Sequence, residues 1–144
     1  MNDQTAQPAM PHAPVEIDWV DGIEFEAGRP GGHKVRIDAD GQNGPGPFDL
    51  LLESLAACAA SDVVTILKKQ RAVLRSLHVN IEATRVTATP RRLAAVALHF
   101  VIRAEGWTAE KAQRAIGLAV TKYCSVGSSL RPDAPITWTI DLSE

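Results

Sequence analysis

The sequence predicts an α+β fold in which antiparallel sheets pack against a long, buried central helix. Segments that alternate apolar and polar residues indicate strands, and they occur in runs rather than singly. A long stretch without glycine or proline divides two of these runs, and a second helical pattern precedes the last strand. The predicted order of elements is therefore β-β-β-α-β-β-α-β.

The first three predicted strands form an antiparallel meander. Apolar and polar residues alternate over residues 15–20, 23–27 and 33–38. Asp21-Gly22 is a hairpin turn signal between the first two strands. The glycine-rich run of residues 28–32 then breaks the chain before the third strand.

The central helix is predicted to begin at Pro47 and to end near Gln70. A proline suits the first helical turn, where its missing N–H is not needed, and Asp49 complements the helix dipole there. Apolar residues cover nearly every side of this helix instead of forming a single stripe. We therefore expect the helix to be buried on most faces, at the centre of the domain or of a dimer.

A long hairpin and a second helix are predicted to follow. The hairpin strands are residues 78–89 and 95–103, which again alternate apolar and polar side chains. Thr108 is a good N-cap for a helix over residues 109 to about 122, although Lys111 stands where a capping box prefers glutamate.

The chain is predicted to close with a short helix at residues 125–130 and a strand at residues 135–142. Residues 1–14 carry several prolines among small polar residues, which predicts a flexible lead-in. Residues 15–144 are predicted to form a single domain, because no linker or internal repeat divides them.

The composition excludes several classes of function. The net charge of −2 over 144 residues, with scattered basic residues, does not indicate a nucleic-acid partner. No apolar run reaches the roughly 18–20 residues that are needed to span a bilayer. The first residues also lack the pattern of a secretory signal. We therefore expect no membrane association and a cytoplasmic location. The four histidines show no ligand spacing, so neither a metal site nor a cofactor is expected.

Cys58 is a candidate reactive residue in the middle of the central helix. A cysteine among alanines is often a small core residue, but Ser54 and Asp62 lie one turn away on the same face. Asp62 either emerges at the solvent or lines a pocket, because a buried carboxylate needs a partner. A reactive Cys58 would need a nearby cation. Arg29, in the glycine-rich run, is the candidate, and an exposed turn arginine is the alternative.

Cys124 is the second cysteine, directly after a predicted helix. If a short helix begins at Ser125, its N-terminal amides would favour a thiolate at Cys124. The cysteines are far apart in the chain, and their spacing matches neither CxxC nor a zinc site. In the cytoplasm a constitutive structural disulfide is not expected. The residues alone leave both core packing and redox chemistry open.

Several segments together resemble the OsmC/Ohr family. The central-helix motif is carried by residues 44–52, by Leu55-Ala56-Ala57-Cys58 and by Asp62-Val63-Val64, and the second-cysteine motif by Tyr123-Cys124-Ser125-Val126. The two motifs stand in the family's order, and the resemblance covers roughly residues 15–141. It implies an OsmC-like fold and an intertwined homodimer with sites at the subunit interface.

The resemblance also implies a function, the thiol-dependent reduction of organic hydroperoxides in oxidative stress defence. Cys58 would attack the peroxide, Cys124 would resolve the product as a disulfide, and an external dithiol would reduce that disulfide. Arg29 would stabilise the Cys58 thiolate. Apolar helix residues such as Leu51 and Leu55 would favour alkyl peroxides over hydrogen peroxide.

One position departs from the pattern of the peroxide-reducing members. They carry a glutamate directly after the proline equivalent to Pro47, whereas this chain has Phe48 there and the acid one residue later, as Asp49. One residue turns a side chain by about 100° on a helix. Together with Asp62 and His33, this segment is similar to the OsmC-like branch typified by YhfA. The alternative function is therefore a non-catalytic dimer that binds a small molecule or senses redox state, and both cysteines could also be structural.

Overall fold

The computed structural model describes residues 8–144, so half of the predicted lead-in lies outside the described residues. The chain divides into two compact units, Met1–Phe48 and Asp49–Glu144. The elements are β1 (Glu16–Asp21), β2 (Glu24–Gly28), β3 (Lys34–Asp38), α1 (Pro47–Lys69), β4 (Val73–Arg85), β5 (Leu93–Glu105), α2 (Ala109–Leu118), a π-turn (Ala119–Tyr123), α3 (Ser125–Ser128) and β6 (Ile136–Ser143).

The first unit is the predicted antiparallel meander, in the order β1-β2-β3. Its strand bounds lie within one residue of those expected from the alternation. The turn between β1 and β2 is closed by Asp21, whose carboxylate accepts the N–H of Gly22 at 2.9 Å. A Cβ atom on Gly28 would collide with the carbonyl oxygen of His33, so the end of β2 requires glycine.

Asp38 fixes the loop that leads from β3 toward α1. Its side chain is buried and accepts backbone N–H groups from Asp40, Gln42 and Asn43 at 2.9–3.0 Å. These hydrogen bonds, that of Asn43 first, hold the pKa of the Asp38 carboxyl below its ordinary value. The Asp38 carboxylate therefore fixes the conformation of the loop. From the sequence, Asp38 was predicted only as the last residue of a strand.

The second unit contains a three-stranded sheet in the order β4-β5-β6. Strands β4 and β5 form the predicted antiparallel hairpin, and β4 begins earlier than predicted, at Val73 rather than at residue 78. Strand β6 pairs with β5 in parallel, so this sheet is mixed rather than wholly antiparallel. The reason is topological, because the helical segment between β5 and β6 is a crossover that returns the chain in the same direction.

The core of the second unit joins one face of β5 to the helices. Every second residue from Val96 to Ala104 is buried on β5, and Ala112, Ala115 and Ile116 are buried on α2. On α1 the buried side chains form one stripe with helical spacing: Leu55, Ala56, Ala59, Val63 and Leu67. Within the described chain the remaining faces of α1 are half-buried or exposed, so the expected burial on most faces is not seen within this chain.

Helix α1 is also long and apolar enough to cross a membrane by length and composition. Its most apolar stretch has a mean hydropathy of 1.8, and 28% of that stretch is buried. The expectation that no segment reaches this limit is therefore wrong. The two acids in its interior, Glu53 and Asp62, are too widely spaced to interrupt the apolar character. The core helix of a soluble protein has the same properties, so this feature alone is weak evidence for a span.

The second predicted helix is divided in the structure. Thr108 caps α2 as expected, since its hydroxyl accepts the N–H of Lys111 at 3.3 Å. The α-helical hydrogen bonds end at Leu118, and a π-turn follows over Ala119–Tyr123. The wider turn leads the chain to Cys124, which is the N-cap residue of α3.

Candidate functional site

The two thiols come together in the second unit. Cys58 lies midway along α1 and is half-buried, whereas Cys124 is 1% exposed, and neither forms a disulfide. The Cys58 side chain lies near enough to Cys124 to be one of the causes that raise the pKa of the Cys124 thiol. Residues far apart in the sequence are thereby brought into one site, which is the arrangement a thiol pair requires.

The position of Cys124 is set by its own backbone and by α1. Its N–H donates to the carbonyl oxygen of Ala119 across the π-turn at 2.9 Å. Its Sγ accepts the N–H of Gly127 at 3.3 Å and lies 3.9 Å from the carbonyl oxygen of Leu55. Leu55 is one turn before Cys58 on α1, so the same helix supports one thiol and carries the other.

The electrostatics of Cys124 differ from the sequence-based expectation. Burial raises the pKa of its thiol, the Gly127 N–H lowers it, and the neighbouring Cys58 raises it again, with a raised pKa as the result. The expected stabilisation by the amides of α3 is present, but it is smaller than the cost of burying a thiolate. The prediction that these amides favour a thiolate at Cys124 is therefore confirmed for the amides, but burial reverses the net direction of the pKa.

Asp62 and Ser54, the predicted neighbours of Cys58 on α1, have different surroundings. The Oδ2 atom of Asp62 is buried and has no hydrogen-bond partner among the described residues. Ser54 is exposed, and its hydroxyl donates to the carbonyl oxygen of Leu51 on its own helix at 2.8 Å. Asp62 thus offers an unpaired acceptor beside the thiol, whereas Ser54 serves its own backbone.

The remaining predicted site residues lie at or before the start of α1. Arg29 is exposed in the turn between β2 and β3, in the first unit. Phe48 is half-buried and Asp49 exposed in the first turn of α1. The roles assigned to these three residues by the resemblance stay predictions.

Other residues at the site were not given a role from the sequence. A Cβ atom on Gly127 would lie 3.4 Å from Cys124 Sγ and 3.4 Å from Leu55, which is contact distance, so this position adjoins both side chains. Tyr123, Lys69 and other residues line a cavity that includes Asp62. Gly127 could have been found from its place three residues after Cys124. Nothing in the apolar periodicity marks a π-turn, so the position of Tyr123 could not be predicted.

No candidate metal-binding site is found in the part of the chain that the structure describes. No group of three or more histidine, cysteine, aspartate or glutamate side chains is placed to hold an ion there.

The fold and the thiol pair define an α+β protein that carries a two-cysteine site between its long helix and its last crossover. The family model described as OsmC-like protein matches residues 39–139. The chain is also 30% identical to protein YhfA of Escherichia coli K12 over 127 residues, which are 88% of this chain and 95% of that relative. The chain belongs to the OsmC family, and its similarity to YhfA supports a place in the YhfA-like branch.

Solved structures show the same fold. The OsmC-like protein of Mycoplasma pneumoniae superimposes with a TM-score of 0.80 at 18% identity, covering 93% of this chain and 99% of that one. The organic hydroperoxide resistance protein OhrB of Bacillus subtilis gives a TM-score of 0.62 at 18% identity, and the superposition covers 92% of this chain and 100% of that one. These likenesses confirm the predicted α+β, OsmC-like fold class.

Proposed function

We propose that this protein reduces organic hydroperoxides through Cys58 and Cys124, in oxidative stress defence in the cytoplasm. The observation that carries the proposal is the thiol pair itself, in which a half-buried cysteine interacts with a fully buried one. An accessible thiol can meet an oxidant, and a buried neighbour can then react with the product. Membership of the OsmC family, which has relatives named for hydroperoxide resistance, supports this assignment.

The proposed reaction has three balanced steps. The Cys58 thiolate attacks one peroxide oxygen, the O–O bond breaks, and the products are a Cys58 sulfenic acid and an alkoxide, which takes a proton from solvent to become an alcohol. Cys124 then displaces water from the sulfenic acid and forms the Cys58–Cys124 disulfide. An external dithiol reduces this disulfide by thiol–disulfide exchange and is itself oxidised. The apolar side chains of Leu51 and Leu55 favour alkyl peroxides as substrates.

We also propose that the protein is a homodimer. Two observations support it: most of the apolar stretch of α1 is not buried within the chain, and β1 exposes Ile17 and Trp19 at 60% and 65%. Apolar surface of this extent is typical of an interface. In such a dimer Arg29 is proposed to stabilise the Cys58 thiolate.

The test is turnover of cumene hydroperoxide with dithiothreitol as reductant. We expect steady consumption by the wild-type protein and none by Cys58→Ser. Without dithiothreitol, Cys124→Ser should consume about one equivalent and then stop at the Cys58 sulfenic acid, because no resolving thiol remains. Absence of turnover in the wild-type protein, with unchanged thiol content after peroxide, would reject the enzyme and favour the non-catalytic binding or sensing function.

A further inference from the structure

The outer face of the sheet in the second unit carries a cluster of polar side chains that the thiol site does not use. Every second residue from Val96 to Ala104 on β5 is buried on the side of the helices, so the residues between them lie on the opposite, outer face. A second copy of the chain that covers the exposed faces of α1 lies on the helix side of this sheet. The side chains of the outer face therefore stay open to solvent in the proposed dimer.

A cavity of about 590 Å³ lies on the outer face. Six side chains that line it form two neighbouring rows across the sheet, Glu82, Ala97 and Thr137 in one row and Asn80, His99 and Thr139 in the next. Ala97 has the shortest of these side chains and stands on the central strand, between longer side chains on β4 and β6, so it forms the floor of the cavity. The volume is in the range of small-molecule sites.

His99 connects Thr139 and Asp141 in one hydrogen-bonded chain. Nδ1 of His99 lies 2.6 Å from the hydroxyl oxygen of Thr139, and Nε2 lies 3.2 Å from Oδ2 of Asp141. An ionised carboxylate only accepts hydrogen bonds, so Nε2 carries the proton of the neutral ring. Nδ1 is then an acceptor, and the Thr139 hydroxyl donates to it. The Thr139 oxygen is therefore bonded to a base that is itself held in place by a carboxylate.

A hydroxyl bonded to an oriented base is the arrangement that activates a nucleophile. Thr139 and His99 both line the cavity, so the hydroxyl and its base meet a molecule bound there. Asp141, two residues further along β6, lies on the same face and orients the ring from outside the cavity. Thr137 lines the same cavity, but its hydroxyl donates to the backbone carbonyl oxygen of Val96 at 3.4 Å and not to a histidine.

Two further side chains of the cavity bear on the chemistry of a bound molecule. Oδ1 of Asn80 accepts from Nε2 of His78 at 3.0 Å, and Nδ2 of Asn80 has no partner among the described residues. This amide can donate to a carbonyl oxygen in the cavity, where negative charge develops during acyl transfer. Glu82 forms no ion pair in the described chain, so its carboxylate gives the cavity a negative charge.

We propose that this cavity is a second site, which hydrolyses small neutral carboxylic esters with Thr139 as the nucleophile. The oxygen of Thr139 attacks the carbonyl carbon of the ester, and His99 takes the hydroxyl proton. The bond to the leaving alkoxide then breaks, and His99 returns the proton to it, which gives an alcohol and an acyl group on Thr139. Water attacks this acyl group in the same way, which releases the carboxylic acid and restores the Thr139 hydroxyl. The Glu82 carboxylate disfavours anionic esters.

The first test is hydrolysis of 4-nitrophenyl acetate by the full chain with Cys58→Ser, so that the accessible thiol adds no acyl exchange. The matched variants are Thr139→Val and Thr137→Val. Each replaces a hydroxyl with a methyl group on the same strand of the same cavity, and valine suits a strand. Thr139→Val should lower kcat/KM by about tenfold or more, and Thr137→Val should change it by less than about twofold. Equal values in the two variants would overturn the proposal.

The acyl group itself locates the nucleophile. Nitrophenolate leaves readily, so protein quenched with acid during turnover should carry an acetyl group on the peptide that contains Thr139, found by mass spectrometry. Asp141→Asn should lower kcat and leave KM unchanged, because Asp141 positions His99 and does not contact the ester. Acetylation confined to lysines, with turnover unchanged by Thr139→Val, would assign the hydrolysis to general surface reactivity and reject the site.

Selection by charge is tested with an ester that carries a carboxylate, 4-acetoxy-3-nitrobenzoate. The rate of each ester is divided by its rate with imidazole to remove intrinsic reactivity. We expect 4-nitrophenyl acetate to be favoured by about threefold, which is typical of a surface charge interaction. Glu82→Gln should remove this preference, whereas Glu110→Gln, an exposed position on α2 outside the cavity, should keep it. Equal loss in both variants, or no preference in the wild-type protein, would overturn the selection by Glu82. The thiol pair takes no part in this reaction, so a failure of peroxide turnover leaves the proposed ester hydrolysis unaffected.

Discussion

Leu55 links the core of the second unit to the thiol pair, and its truncation should affect both. Leu55 is 1% exposed, and its carbonyl oxygen lies 3.9 Å from Cys124 Sγ. Leu67, three turns further along the same buried stripe, is 0% exposed and lies beyond the thiols. The substitutions Leu55→Ala and Leu67→Ala therefore form a matched pair, equal in burial and different in distance from the site.

The stability cost should be similar in the two variants. Each change removes three buried carbon atoms, which is worth about 2.4 kcal/mol at ~0.8 kcal/mol per methylene group. The void left behind adds to this, so the whole cost falls at about 2.5–5 kcal/mol. Urea unfolding followed by circular dichroism measures it as a lower midpoint with an unchanged slope.

The two variants should differ in the reactivity of Cys124. The void in Leu55→Ala opens beside the Cys124 sulfur and relieves the burial that is the largest cause of its raised pKa. Alkylation of Cys124 by iodoacetamide at pH 7.5, in a Cys58→Ser background, should therefore be faster in Leu55→Ala than in Leu67→Ala. Global unfolding contributes equally to both because their stabilities match. Equal rates, or faster alkylation in Leu67→Ala, would refute the assignment of burial as the controlling cause.

Two further predictions concern single residues. Because burial raises the Cys124 pKa, alkylation of Cys124 should become fast only above the ordinary thiol pKa of about 8.5. The stability that the protonated thiol contributes is complete below that pH and is lost as the pH rises through the raised pKa. Urea unfolding midpoints measured from about pH 7 to 10 should show this loss. Gly106 has φ +73 with open space at its Cβ position, so Gly106→Ala should cost about 1 kcal/mol in unfolding free energy and Gly106→Asn less, because asparagine tolerates this conformation better. An equal cost for both Gly106 variants would contradict the conformational argument.

The strand and helix order could be predicted because each element carries a local signal. Alternation marked β1 to β3, and a proline with a following acid marked the start of α1. The direction of β6 has no such signal, since a strand reads the same in a parallel or an antiparallel pair. Its parallel pairing with β5 depends on how the crossover through α2 and α3 packs.

The candidate site was predictable in its residues and less so in its surroundings. The ordered motifs around Cys58 and Cys124 identified the pair, whose interaction depends on tertiary contacts between α1 and α3. The net direction of the Cys124 pKa required its burial, which no single sequence position reveals. The π-turn before Cys124 could not be predicted, because its hydrogen bonds differ from those of a helix without any change in apolar periodicity.

The asymmetry of the pair also bears on the order of the proposed reaction. Before oxidation, the neighbouring Cys58 is one of the causes that raise the Cys124 pKa, together with burial. The raised pKa of Cys124 disfavours its thiolate at neutral pH, whereas the hydrogen bond from the Gly127 N–H partly offsets the burial. The proposed reaction therefore begins at the more exposed Cys58, and Cys124 follows as the resolving thiol.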